Sequence, residues 1–172
     1  MNIIYKKVSL ISICICLLTL LAITLTSCGS HTSASSSAQN ISLETLNQYI
    51  TKEAGNLPEM STYTSESQDA EDWFNYLCDF DYSKIDQYFI SYSSSGSAEE
   101  IFLLKVKNEA DVPYAVKALE NRITARTSTF EMYLPAEVSK LSSGTVVSKG
   151  NYIALLICPD QYSAKKAFET NL

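Results

Sequence analysis

Two short runs restrict the fold more than any other feature of this chain. Ile101-Phe102-Leu103-Leu104 and Ile153-Ala154-Leu155-Leu156-Ile157 are apolar at every position. Successive side chains of a strand point to opposite faces, so a sheet with one wet face alternates apolar and polar residues. Strands carrying these runs need cover on both sides. Either helices pack on both faces, or one face meets a partner. Helices ahead of residue 80 could supply the second layer.

The rest of the pattern predicts where those helices lie. Ser42 is a good N-cap residue, and Leu43, Leu46, Ile50 and Ala54 follow on one helical stripe until Gly55 and Pro58 stop it. A second, shorter helix is expected over 69–78. Asp69, Glu71 and Asp72 suit its positive end, and Ala70, Trp73, Phe74 and Leu77 form its buried side. Residues 85–94 read as a strand with Tyr88, Ile90 and Tyr92 on one face. SSGSA around Gly96 turns the chain into a returning strand over 101–107, with Phe102, Leu104 and Val106 on one face. Asp111 is expected to cap a long helix that tolerates Pro113 in its first turn. Val112, Val116, Leu119, Ile123 and Phe130 hold one face of that helix, and Pro135 breaks it before a further turn through Leu141. A second hairpin over 144–149 and 151–158 turns at Gly150-Asn151. Pro159-Asp160 opens a last helix carrying Ala164, Ala167 and Phe168.

The expected class is α+β, an antiparallel sheet of about four strands in the order α-α-β-β-α-β-β-α, with helices packed on the sheet. The two β-β-α halves suggest an internal pseudo-repeat. A domain of this size can bury a core without staples.

The first 27 residues are set aside from the fold. Lys6 and Lys7 precede an almost wholly apolar run from Val8 to Leu25, and Leu25-Thr26-Ser27-Cys28 closes it. A branched apolar residue, two small ones and then Cys is the order in which a narrow peptidase site admits the chain and the thiol is alkylated by diacylglycerol. The segment resembles a bacterial lipoprotein signal peptide, which implies cleavage before Cys28 and lipid on that residue, with palmitate among the acyl chains. A spanning anchor and an ordinary secretion signal are the alternatives. The expected organisation is signal peptide 1–27, lipidated Cys28 and Ser-rich linker through 41, and one domain over 42–172. Residues 29–40, GSHTSASSSAQN, would span about 20 Å root mean square as a coil. The only histidine, His31, lies in that linker.

Cut before Cys28, the chain keeps eleven Lys and Arg and all nineteen Asp and Glu, a net charge of −8. That sign argues against nucleic acid and against a polybasic membrane surface. The expected tie to the membrane is the lipid at Cys28. Cys78 and Cys158 remain as buried thiols or as one disulfide in an oxidising compartment.

No Gly-rich phosphate loop or GxSxG stands in the sequence, and the domain has no His for a triad or a zinc site. No cofactor or metal is expected. Asp79, Asp81 and Asp86 in CDFDYSKID could offer oxygens to a cation, but read better as a polar connection whose carboxylates bond nearby amides. The acids in general read as lying in helix starts and loops that water reaches. Tyr76, Tyr82, Tyr88 and Tyr92 surround the first strand; aromatic clusters stack sugars or anchor peptides, and tyrosine also simply favours strands.

The stretches DFDYSKIDQYFISYSSSGSAEEIFLLKVK, AVKALENRI, TFEMYLPAEVSKL and VVSKGNYIALLICPD, in this order, resemble the family of small Firmicute lipoproteins described as domain of unknown function 4358, over roughly residues 70–172. The resemblance implies a Gram-positive cell-surface lipoprotein and no assigned activity. The residues that carry it, Phe80, Asp81, Tyr82, Gly96, Phe130, Tyr133, Pro135, Gly150, Asn151 and Tyr152, read as turn and packing residues. Cys78 and Cys158 are not part of that pattern.

The functional expectation is a non-catalytic extracytoplasmic binding or interaction module, whose partner is an envelope protein or a wall ligand. The alternatives are an accessory subunit of an envelope transporter or wall-assembly complex, and a His-independent carboxylate hydrolase.

Overall fold

Residues 40–172 are described by a computed structural model. The first helix, α1 (Leu43–Glu53), is capped by Ser42, whose hydroxyl accepts the Thr45 N–H at 3.1 Å, and it buries Leu43, Leu46 and Ile50. A short strand follows, β1 (Met60–Thr64), then α2 (Ala70–Leu77). One 3-10 turn leads into β2 (Ile85–Ser93), which pairs with β3 (Glu100–Val106). The long helix α3 (Val112–Tyr133) ends before Pro135, and α4 (Val138–Ser143) is the further turn. The second hairpin is β4 (Thr145–Lys149) and β5 (Tyr152–Ile157), and α5 (Gln161–Thr170) closes the chain.

The class is therefore α+β around one antiparallel sheet, with two departures from expectation. The sheet has five strands, ordered β1-β2-β3-β5-β4. The strand the sequence hides is β1, MSTYT, five residues long and carrying one aromatic. It lies at an edge, pairing only with β2, so its apolar pattern is weak. The pseudo-repeat also fails as a symmetry. β3 and β5 are antiparallel neighbours, so a rotation exchanging the hairpins would leave α3 and α5 on one face of the sheet. Those helices pack on opposite faces.

Both faces of the central strands are covered, as the apolar runs require. Phe102, Leu104, Ile153, Leu155 and Ile157 pack with Phe74 of α2, Ala115 and Leu119 of α3 and Leu141 of α4. Ile101, Leu103, Ala154 and Leu156 pack with Leu46 and Ile50 of α1 and Ala164 and Phe168 of α5. Helices on both sides, not a partner, thus explain why these strands do not alternate. Only α1 of the two helices ahead of residue 80 gives the second layer; α2 shares a face with α3.

Two capping expectations divide. Asp160 caps α5, accepting the Ser163 N–H at 2.9 Å. Asp111 stands at the start of α3 without capping it, because the 3-10 turn over 109–111 gives it helical dihedrals (φ −87°, ψ −12°); its carboxylate takes the Lys84 ammonium at 2.8 Å. The glycines at the two hairpin turns earn their places, with φ of +82° at Gly96 and +55° at Gly150.

Candidate functional site

The edge strand that the sequence hid supports an aromatic group on the surface of α2. Tyr63 of β1 lies against the indole of Trp73 from α2, ring centroids 4.4 Å apart and 31° inclined. Tyr92 of β2 stacks behind Tyr63 at 6.1 Å and 5°. Trp73 then meets Tyr76, one helical turn on, edge to face at 6.2 Å and 87°. Trp73 and Tyr76, with the Asp72 carboxylate, line an open cleft of about 440 Å³. Tyr76 is 82 % exposed. The expected buried side of α2 is corrected here. Phe74 is buried and Ala70 and Leu77 pack on the core, but Trp73 remains partly in solvent. A helix end beside an edge strand cannot cover an indole on all sides.

The other tyrosines of the predicted cluster serve the core. Tyr88 is buried, donates its hydroxyl to the Ala70 carbonyl at 2.8 Å and packs on Phe74 and Phe102. Burial pushes its pKa up to about 12. Tyr82 packs against Phe74 and Tyr88.

A second cluster lies at the head of β3, and the expectation that the acids sit where water reaches them is wrong here. Glu100 is 0 % exposed. Its Oε1 accepts from Arg122 Nε at 2.6 Å and its Oε2 from Arg122 Nη2 at 2.8 Å, a bidentate pair, while Arg126 Nη1 lies 2.9 Å from Oε2. Arg122 Nη1 also donates to the Leu77 carbonyl at 2.6 Å, tying α3 to the end of α2. Burial opposes the Arg122 charge, yet the adjoining Glu100 carboxylate outweighs it and holds the guanidinium above its usual pKa. For Arg126 burial wins and the pKa is lowered.

Next to this triad, Glu99 and Glu137 share the Lys140 ammonium, each at 2.8 Å. Burial works to raise the Glu99 pKa, but hydrogen bonds from Lys140 and Ser97 overcome it and the net shift is downward. Ala98 joins the two groups: its N–H donates to Glu137 Oε2 at 2.9 Å and its carbonyl accepts from Arg126 at 3.1 Å. Three acids and three bases thus balance around the β2–β3 turn. With both Glu100 oxygens held by guanidinium groups, this carboxylate is an anchor and not a free acid or base. A signal for the triad was present: the chain's only two arginines stand four apart on one helix, and two glutamates stand directly ahead of the apolar run Ile101–Leu104.

The predicted acids do not converge. Asp79 is exposed. Asp81 caps the 3-10 turn, accepting the Ser83 N–H at 3.0 Å and its hydroxyl at 2.7 Å. Asp86 sits where the β2–β3 register slips and pairs with Lys105 at 2.8 Å. Among the described residues no three His, Cys, Asp or Glu side chains are grouped to hold a metal ion. Cys78 and Cys158 are free and buried in the two different cores, on opposite sides of the sheet. Burial pushes their pKa values up to about 12 and about 11. The signal peptide 1–27, Cys28, and linker residues 29–39 with His31 lie outside the described residues.

A family model described as domain of unknown function (DUF4358) matches residues 59–158, from just before β1 to the end of β5. The chain belongs to the DUF4358 family. The match begins upstream of the resemblance read from the sequence, taking in β1, and ends before α5. It leaves out α1 and α5, the two helices that cover one face of the sheet. That cover is closed locally: the Asp160 N–H donates to the Ala54 carbonyl at 2.9 Å, joining the ends of both flanks. Of the residues that carried the resemblance, Asn151 donates to the Val106 carbonyl at 2.9 Å and Tyr152 is buried. Tyr133 is instead 75 % exposed and packs on nothing that would hide it. Neither the comparison with curated proteins nor that with solved structures finds a match.

Proposed function

We propose that this DUF4358 chain is a lipid-anchored extracytoplasmic binding module, and that the cleft of Asp72, Trp73 and Tyr76 is its ligand contact. The observation that carries the reading is the exposed, backed aromatic cleft. Aromatic side chains contribute large contact area, and exposing them together to water is unfavourable unless a ligand covers them. Trp73 is held in place by Tyr63, which Tyr92 supports in turn, so binding would not have to order the wall first. The anchor is the lipid on Cys28, for which the LTSC sequence is the support. Two or more acyl chains, at about 0.8 kcal/mol per buried methylene, tether stably.

A second reading, an accessory subunit of an envelope transporter or wall-assembly complex, has its own support. Met132, Tyr133 and Leu134 are exposed together at the end of α3. That helix is 22 residues long, about 33 Å. It starts at the end of the sheet where Asn40 touches Lys105 and Tyr152, so the apolar tip lies at the pole away from Asn40.

The test places a photoreactive residue at Tyr76 in living cells. A single adduct that disappears on Trp73→Ala, and that survives Asp79→Ala, Asp81→Ala and Asp86→Ala, is expected. Cys28→Ala should abolish palmitate labelling and signal removal. The reading is overturned if no adduct forms, or if the purified protein turns over a wall, glycan or ester substrate and one carboxylate substitution ends that turnover.

A further inference from the structure

We infer that the Asp72–Trp73–Tyr76 cleft takes a quaternary ammonium group; this rests on the binding-module reading and names its ligand chemistry. The two rings stand nearly perpendicular, at 87°, and line the same open cleft beside Asp72. A sugar stacks best on one open ring face. A cation beside this pair is attracted to an aromatic face and to the neighbouring carboxylate together.

The electrostatics select the sign. Asp72 lies in the cleft, and Asp69 and Glu71 stand beside it on the same segment; among the described residues none of the three has a Lys or Arg within ion-pair distance. Among the described residues, cations stand over Tyr114, Tyr152, Phe102 and Phe130, and none over Trp73 or Tyr76. The rings and the carboxylate are thus left to an external cation. The domain as a whole is acidic, so an anion is disfavoured at longer range as well.

Hydrogen-bond supply selects the type of cation. A primary ammonium carries three N–H donors, and the cleft offers one carboxylate as a charged acceptor. Such an ammonium is compact and strongly hydrated, so it holds its water rather than pressing against aromatic carbon. A trimethylammonium group has no donors, is weakly hydrated and presents methyls to both rings. Its needs match two aromatic rings and one carboxylate.

Trp73 is the only tryptophan of the chain, so its emission reports on this cleft alone. The full chain in a non-ionic detergent is titrated with choline, with its neutral isostere 3,3-dimethylbutanol, and with propylamine. Choline should give a saturable change with Kd in the millimolar range, and the isostere and the amine should bind at least several-fold more weakly. Asp72→Asn should weaken choline by about fivefold at low salt, the size of one ion pair in water near 4 Å. Tyr76→Ala should weaken it by about two- to fivefold. Both side chains are exposed, and unchanged far-UV spectra check that the fold survives. Vesicles bearing phosphocholine headgroups separate the sources: binding to both supports a headgroup ligand, and binding to choline alone supports a free one. No saturable response to choline, an equal response to the isostere, or tighter binding of propylamine overturns the inference. Adducts at Tyr76 without a choline response would remove the ammonium ligand and leave the binding module standing.

Discussion

Replacing Glu100 by Gln tests whether the buried triad is an anchor. The variant keeps the size of the side chain and removes its charge, leaving Arg122 and Arg126 without their shared carboxylate. Their side chains are 13 % and 17 % exposed, so water can only partly replace it. Breaking one side of a buried ion pair costs about 3–5 kcal/mol, much of it the uncompensated charge left behind. Against a total stability of about 5–15 kcal/mol this is a large fraction. For residues 40–172 an unfolding entropy of about 2.1 cal/mol/K per residue amounts to about 0.28 kcal/mol/K, so Tm should fall by about 10–18 °C. Urea unfolding of the domain followed by far-UV circular dichroism measures it. The triple change Glu100→Leu, Arg122→Met, Arg126→Met should recover most of the loss, because it removes the charges together with their desolvation cost. A Glu100→Gln loss under about 1 kcal/mol, or a triple variant no better than the single one, would refute the anchor.

Glu99 gives a pH signature. Its carboxyl is held below its ordinary value in the folded state, so its contribution is full above about pH 4.5 and is lost as pH falls through the depressed folded value. Glu99→Gln should therefore flatten the acid-side decline in urea midpoint between about pH 5 and 3, with little change in slope at neutral pH. The domain should react slowly with a thiol reagent when native, since burial holds both thiols protonated. It should release two titratable thiols on unfolding without reductant, and a mass lower by two protons would contradict the free-cysteine assignment. A methyl added at Gly144 would sit 2.9 Å from the Leu141 carbonyl oxygen and 3.0 Å from Ile157 Cγ1. Gly144→Ala should cost about 1–3 kcal/mol in the same urea assay, and an unchanged midpoint would mean that α4 yields freely.

Periodicity and turn chemistry alone determined most of the elements of this protein. Ser42 and Asp160 act through side-chain caps on the next helical turn, and Gly96, Gly150 and Pro135 through backbone geometry, so their roles are local. The two runs apolar at every position required cover on both faces, because strand side chains alternate whatever the fold. Only the tertiary structure decided which helices provide it, since an apolar stripe states that a helix is buried and not against what. It also decided the partner of Asp111, because the 3-10 turn ahead of α3 gives that residue helical dihedrals and leaves its carboxylate to Lys84. The edge strand β1 escaped for a related reason: a short strand with one neighbour needs little hydrophobicity, so MSTYT leaves little pattern to read. The cleft went unread with it, for Trp73 is held by Tyr63 ten residues away on that strand. Glu100 was misplaced because charge predicts exposure until two guanidinium groups on another element offset the cost of burial, and that offset exists only once α3 lies on β3.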